Sequence, residues 1–355
     1  MDLSKLNEVL KDEPSYRQKQ AQKAVFQDLA DNWMQVQTLP IELRKELKKS
    51  CPLKIDFQAS VSQDEKVIKG LITLKDGLKV ETVLMKHGDN RNTVCVSSQV
   101  GCPLGCVFCA TGNIGFKRSL SIYEIVEQVL FFARYLKSKG PARSGFARQT
   151  RRLESRGLAT SDAGGERITN VVFMGMGEPF LNYDNVLGAI RILNDEERFN
   201  LGARHFSIST VGIIEGIEKF SQEKLQVNLA ISLHAPDDKL RSEIMPINKK
   251  YSVKEVLKAV DEYIKKTKRR VMFEYVMIKD VNDTDECAKE LAKLVKKPLY
   301  FVNLILYNPT GIFKSSEPAR IKRFKEILEK YGVPVTQRYR FGKDLKAACG
   351  QLAGK

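Results

Sequence analysis

Two periods of apolar residues alternate along this chain, and their order predicts its architecture. In a stretch rich in Lys, Gln and Glu, Leu6, Val9 and Leu10 and then Ala21, Val25, Phe26 and Leu29 fall at helical spacing. Residues 1–85 therefore read as a small, mainly helical N-terminal unit. Near its end, 67–73 and 78–85 alternate apolar and polar side chains loosely, as β-stretches do. Beyond this unit the period changes. Short β-branched runs at 93–97, 170–174, 205–210, 227–233, 271–277, 300–306 and 333–338 are separated by amphipathic helical segments. Such an order predicts parallel strands joined by crossover helices. Six or seven units of this kind make an α/β fold over 86–340, a sheet curved into a partial barrel, with a short C-terminal segment at 341–355.

The helix ends are well marked. Ser121 with Glu124, and Ser252 with Glu255, have the capping-box spacing in which each side chain reaches the other's backbone N–H. The last long helix carries Ile321, Phe324, Ile327, Leu328 and Tyr331 and stops at Gly332, where Pro334 bars its continuation. One segment breaks the pattern: 141–167 is Arg-rich, free of Lys and dotted with Gly, Ser and Ala. Without a helical or strand period it reads as an inserted flexible loop.

Charge adds a partner. Fifty-nine Lys and Arg oppose 43 Asp and Glu in 355 residues, a net +16. Such a field repels itself unless a polyanion shares it, and nucleic acid is the commonest one. Arg148, Arg151 and Arg152 of the insert, and Arg17, Lys19 and Lys23 beside Tyr16, are candidate RNA contacts. A solvated loop and a solvated helix face are the alternatives. No apolar run reaches the length of a membrane span, and the first residues, MDLSKLNEVLKDEPSY, lack the apolar centre of a secretory signal. A cytoplasmic protein without a membrane partner is expected.

Three of the seven cysteines crowd into eight residues. In a reducing compartment that argues for metal ligation or thiol chemistry over disulfides. Cys102, Cys106 and Cys109 have the spacing C-x3-C-x2-C. Structural zinc wants four ligands, usually in two separated pairs, and a ferredoxin-type cluster wants four thiolates; no fourth ligand lies nearby in sequence. Three thiolates on a four-iron cube leave one iron open to a small chelating molecule. The spacing resembles the radical-SAM signature, in which S-adenosylmethionine fills that position.

The resemblance then narrows. CVSSQVGCPLGCVFCATG at 95–112, MGMGEPFLN at 174–182, SIST at 207–210, SLHAP at 232–236, MPIN at 245–248 and the closing AACGQLAG are similar, in this order, to the RlmN/Cfr family of radical-SAM RNA methyltransferases. They span most of the chain from Glu81 to Gly354. The resemblance implies a partial (β/α)6 barrel with an N-terminal accessory domain, and a 4Fe-4S cluster on Cys102, Cys106 and Cys109. It also implies two S-adenosylmethionine molecules per turnover and methylation of an adenine in the peptidyl transferase centre of 23S rRNA. Gly177-Glu178-Pro179 resembles the branch that methylates carbon 2; the carbon 8 branch departs from the proline. A purine beside the anticodon of tRNA is a second substrate that the resemblance permits. A monomer, supplied with electrons by flavodoxin or ferredoxin, completes the expectation. A catalytically silent iron-sulfur protein that binds RNA is the competing reading from another class.

Adenine C2 is electron-poor and does not attack a methyl sulfonium directly, so a radical route with a covalent carrier is required. The resemblance assigns the methyl carrier to Cys349, the resolving thiol that releases product by disulfide formation to Cys95, and the proton acceptor to Glu81. Both sulfurs should then be accessible and within mutual reach. Gly177, Glu178, Ser209, Ser232, Leu233, His234 and Asn308 match the family's cofactor contacts. Met174 and Met176 read as barrel core, and Cys51 and Cys287 as structural.

Overall fold

The computed structural model describes residues 1, 3–139, 166–311, 313–338 and 345–354. Except for its last two residues, the 141–167 insert, with Arg148, Arg151 and Arg152, lies outside the described residues. Three helices, α1 (Leu6–Val9), α2 (Ser15–Phe26) and α3 (Ile41–Ser50), precede an antiparallel meander of β1 (Asp56–Val61), β2 (Val67–Thr73) and β3 (Lys79–Lys86). Strand β4 (Asn92–Cys95) pairs antiparallel with β3. A separate hairpin of β5 (Gln99–Gly101) and β6 (Phe116–Ser119) follows, with α4 (Ala110–Asn113) in its connecting loop.

The repeating units come next. After α5 (Ile122–Lys139) the chain alternates β7 (Asn170–Phe173), α6 (Tyr183–Asn194), β8 (Phe206–Thr210), α7 (Ile214–Phe220) and β9 (Asn228–Ser232). It continues through α8 (Asp238–Ile244), α9 (Val253–Thr267), β10 (Val271–Met277), α10 (Asp285–Val295), β11 (Tyr300–Leu306), α11 (Pro318–Lys330) and β12 (Val335–Gln337). The ten-stranded sheet runs β1-β2-β3-β4-β7-β8-β9-β10-β11-β12, parallel from β4 onward. Among the described residues its edges β1 and β12 do not pair, so the barrel is open, as expected.

Both capping boxes form. Ser121 Oγ accepts from the Glu124 N–H at 3.3 Å while Glu124 accepts from the Ser121 N–H at 2.9 Å. Ser252 and Glu255 repeat the exchange, and α9 ends on Lys268 in the left-handed region. Each such cap contributes about 1 kcal/mol and fixes where a helix starts. Among the described residues no helix is long and apolar enough to cross a membrane.

The N-terminal unit differs from the expectation. Its meander continues the barrel sheet through the β3–β4 ladder, and Leu6, Trp33 and Leu43 join the same apolar core as the barrel residues. The Met1 amino group is ion-paired with Glu127 of α5. A boundary near residue 85 thus falls inside one continuous hydrogen-bonded layer. The cations singled out as candidate RNA contacts are ion-paired: Arg17 with Glu13 at 2.8 Å, Lys19 with Glu197, just beyond α6, at 2.5 Å and Lys23 with Asp28 at 2.5 Å. That arrangement is the solvated, ion-paired helix face.

Candidate active site

The cysteine motif occupies the end loop of the β5–β6 hairpin. Gly101 makes the turn into it with φ of +76°, and a Cβ there would stand 1.7 Å from the Gly115 carbonyl oxygen. Only glycine fits. Cys102 N–H donates to Gly115 O at 3.2 Å, and Val107 N–H to Ile244 O at 3.1 Å, anchoring the loop to its own base and to α8. The three thiols are half-buried and line a cavity of about 900 Å³ empty volume. Among the described residues no three His, Cys, Asp or Glu side chains stand where they could hold one metal ion. Three thiols on one loop, lining one cavity, suit a cluster that keeps an open iron better than a four-ligand zinc site. Burial pushes the Cys102 thiol up to about 12 and Cys106 higher still, with Cys109 adding to both. Such thiols deprotonate only for a strongly positive centre, which is what a cluster supplies.

Strand ends build the cavity wall. Gly177 has φ of +97°, and a Cβ there would meet Gln99 Cβ at 2.5 Å, so the chain passes close to β5 only without a side chain. Gln99 Oε1 accepts from the Glu178 N–H at 2.9 Å. The Glu178 carboxylate accepts from the Phe180 and Val211 N–H groups, both at 3.0 Å, and burial raises it to about 7. A cationic amine bound beside it would restore its charge. Ser209 and Ser232, on β8 and β9, place their hydroxyls 3.2 Å apart on the same wall.

His234 also lines the cavity, with φ of +62°. Its Nδ1 accepts from the Val276 N–H at 3.1 Å, which leaves the proton on Nε2. Burial, then Arg241, pushes the imidazole down to about 3, so it is neutral at any physiological pH. The unfolded chain binds a proton near pH 6.5 that the folded chain refuses, so stability is full above that pH and falls below it. In cluster-free protein His234→Gln should remove about 2 kcal/mol of the stability lost between pH 6.5 and pH 5. Urea melts of both proteins at the two pH values measure it; parallel losses would refute the buried neutral imidazole.

Cys349 lines this cavity and also an adjoining one of about 570 Å³, where Cys95 lies. The expectation of two accessible sulfurs needs correction: Cys95 is only 7% exposed, and burial, with Cys349 next, pushes its thiol up to about 12. Arg338 opposes that shift. Its Nη1 stands 3.8 Å from Cys349 Sγ and 3.1 Å from Met174 Sδ. Met176 is core, as expected, but Met174 lines both cavities.

Three expected site residues sit elsewhere. The Leu233 side chain is buried, and its backbone N–H and C=O are engaged by Glu274 O and Arg241 Nε. Asn308 faces the smaller cavity and donates to Cys349 O at 3.2 Å, positioning the C-terminal segment. Glu81 lies on the same face of β3 as Val83, the register partner of Cys95. Its carboxylate is nevertheless covered, accepting from Lys69 Nζ at 3.0 Å and from the Ala353 N–H at 2.8 Å. The C-terminal segment crosses the cysteine loop as it does so: Ala110 N–H donates to Gly350 O at 2.7 Å and Thr111 Oγ1 to Leu352 O at 2.7 Å.

Sequence reasoning missed Glu274, Arg338 and Arg241. Glu274, 2% exposed in β10, lines the larger cavity; Oε2 accepts from Asn303 Nδ2 at 2.8 Å while Oε1 has no protein partner. Arg241 is fully buried and donates to the carbonyls of Val211, Leu233 and Tyr251 and to Asn248 Oδ1, clamping the SLHAP and MPIN segments together. The available signal was charge inside otherwise apolar runs: VMFEYVM contains one carboxylate.

Residues 149–295 match the Radical SAM superfamily, a span that begins after the cysteine loop. The chain is 44% identical over 342 residues to a probable dual-specificity RNA methyltransferase RlmN from Dictyoglomus turgidum, covering 96% of this chain and 91% of that one. It is 44% identical over 299 residues to a ribosomal RNA large subunit methyltransferase N from Nitrosopumilus maritimus, covering 82% and 78%. A solved radical SAM methyltransferase from Sphaerobacter thermophilus superposes with a TM-score of 0.88 at 40% identity, covering 100% of this chain and 98% of that one. With a loop of three thiols opening on a cavity that also holds the C-terminal cysteine, and with relatives this similar over nearly its whole length, the chain belongs to the RlmN family of radical-SAM RNA methyltransferases.

Proposed function

We propose that this enzyme methylates carbon 2 of an adenine in 23S rRNA, and a purine beside the anticodon of tRNA, through an S-methylcysteine on Cys349. One observation carries the reading: Cys349 borders both the cavity of the cluster cysteines and the cavity of Cys95. Cys102, Cys106 and Cys109 would hold the 4Fe-4S cluster, and Gly177, Glu178, Ser209, Ser232 and His234 would hold S-adenosylmethionine. Together they supply the methyl group and one-electron chemistry, with flavodoxin or ferredoxin as electron source to a monomeric enzyme. Gly177-Glu178-Pro179 favours carbon 2 over carbon 8, and a relative named as dual-specificity supports two RNA substrates.

The chain's own groups then do the rest. Glu178 orients a cationic amine, and the two serines and the His234 Nε2–H offer polar contacts along the wall. Asn308 fixes the Cys349 backbone, and Arg338 places positive charge beside the carrier sulfur. Cys95 resolves the carrier once the closed arrangement opens enough to lower its thiol. Glu81 takes the C2 proton after the Ala353 N–H releases it. The test is anaerobic cluster reconstitution, incubation with protein-free 23S rRNA or tRNA, cofactor and reductant, and mass mapping of the modified adenosine. Methylation at carbon 8 would reassign the branch; cofactor cleavage without RNA modification would remove the substrate assignment.

A further inference from the structure

We propose that a second surface, at the opposite end of the sheet from the active site, binds the phosphodiester backbone of the same RNA. The inference rests on the reading of RNA as substrate. A groove of about 1370 Å³ empty volume lies where the chain enters β8, β9 and β10. Asn228, the first residue of β9, lines it, whereas Ser232, the last, lines the active-site cavity. At about 3.3 Å per residue the two sites are one strand length apart, about 13 Å.

Arg204, Lys224, Lys266, Lys268, Arg269 and Arg270 surround this groove, all but Arg269 exposed. Among the described residues none of the six forms an ion pair, although neighbours do: Lys265 with Glu262 and Lys297 with Asp261. The groove's own carboxylate, Glu223, is taken by Arg191 at 2.8 Å and by the Tyr183 hydroxyl at 3.2 Å. A helix C-terminus explains Lys266, which closes α9. It does not explain Arg204, Lys224 or Arg270, which lie outside any α-helix. Neutral contacts hold the guanidinium groups in place without cancelling their charge. Arg204 Nε donates to Gln226 Oε1 at 2.7 Å, Arg269 Nη1 to the Tyr263 hydroxyl at 3.5 Å, and Arg270 stacks over Phe301 at 5.5 Å. Fixed, uncompensated forks and ammonium groups in a concave polar surface suit phosphate oxygens.

The test compares the cluster-loaded wild type with a K266A/K268A/R270A variant and with K322A/K325A/K330A, which removes equal charge from α11. Each is titrated with whole tRNA and with the isolated anticodon stem-loop across a salt series. Losing three phosphate contacts should make the log–log salt slope for whole tRNA shallower by about 2 to 3 and weaken binding at least tenfold, with the stem-loop unaffected. A groove variant that behaves like the α11 variant overturns the proposal, as does an equal loss on both RNAs. If wild type binds neither RNA, the substrate reading fails and this inference with it. Matching thermal melts of the two variants exclude misfolding.

Discussion

Cys349→Ala should abolish RNA methylation while leaving iron content and folding intact. The thiol borders both cavities, whereas the contacts that hold the segment run through backbone, from Asn308 Nδ2 to Cys349 O and from Ala110 N–H to Gly350 O. Alanine keeps those bonds and removes only the sulfur. Loss of an obligatory covalent carrier should lower methylated nucleoside by a factor on the order of 10⁴ or more. Cys95→Ala offers the contrast, because the carrier sulfur would then stay tethered to the base through the transferred carbon and protein would travel with RNA on a denaturing gel. Undiminished methylation by Cys349→Ala would eliminate the carrier mechanism.

Cys106→Ala should cost the protein its bound iron and sulfide altogether, and with them S-adenosylmethionine cleavage. A cube gripped at three corners has no spare protein ligand, so losing one thiolate leaves two, too few to retain it. Cys106 is the middle thiol of the motif, next to the Val107 N–H that anchors the loop to Ile244 O. The measurement is iron and sulfide analysis after anaerobic reconstitution, beside Cys51→Ala, whose cysteine lies in the core with the N-terminal helices. Retained iron in the variant, or stoichiometric zinc in the wild type, would overturn the metal assignment.

Where periodicity was strong, the chain disclosed its own elements. The runs at 271–277 and 300–306 became β10 and β11 to the residue, because central parallel strands are largely buried and read as near-continuous apolar segments, interrupted here only by Glu274 and Asn303. Strand β1 escaped notice although DFQASV alternates polar and apolar residues; all six are exposed, so the alternation marks no buried face. The β5–β6 hairpin escaped because its strands, QVG and FKRS, carry no apolar run. Motif spacing singled out Cys102, Cys106 and Cys109, and resemblance to the family singled out Cys349; the structure sets all four on one cavity. Sequence reasoning could not foresee that Glu81 clasps Ala353, a contact across 272 residues that no local pattern encodes. Nor could it foresee Arg338 beside two sulfurs, since a charged residue closing a strand usually reaches solvent.

The β3–β4 ladder has a last implication. Val83 pairs with Cys95 in the same run of bonds that carries the N-terminal meander, so the first eighty-odd residues cannot swing on a hinge relative to the reacting sulfurs. An RNA feature that met them would be gauged at a fixed span from the target base, as by a caliper with no moving jaw. Substrates would be sorted by dimension, and the nucleic acid would do the bending.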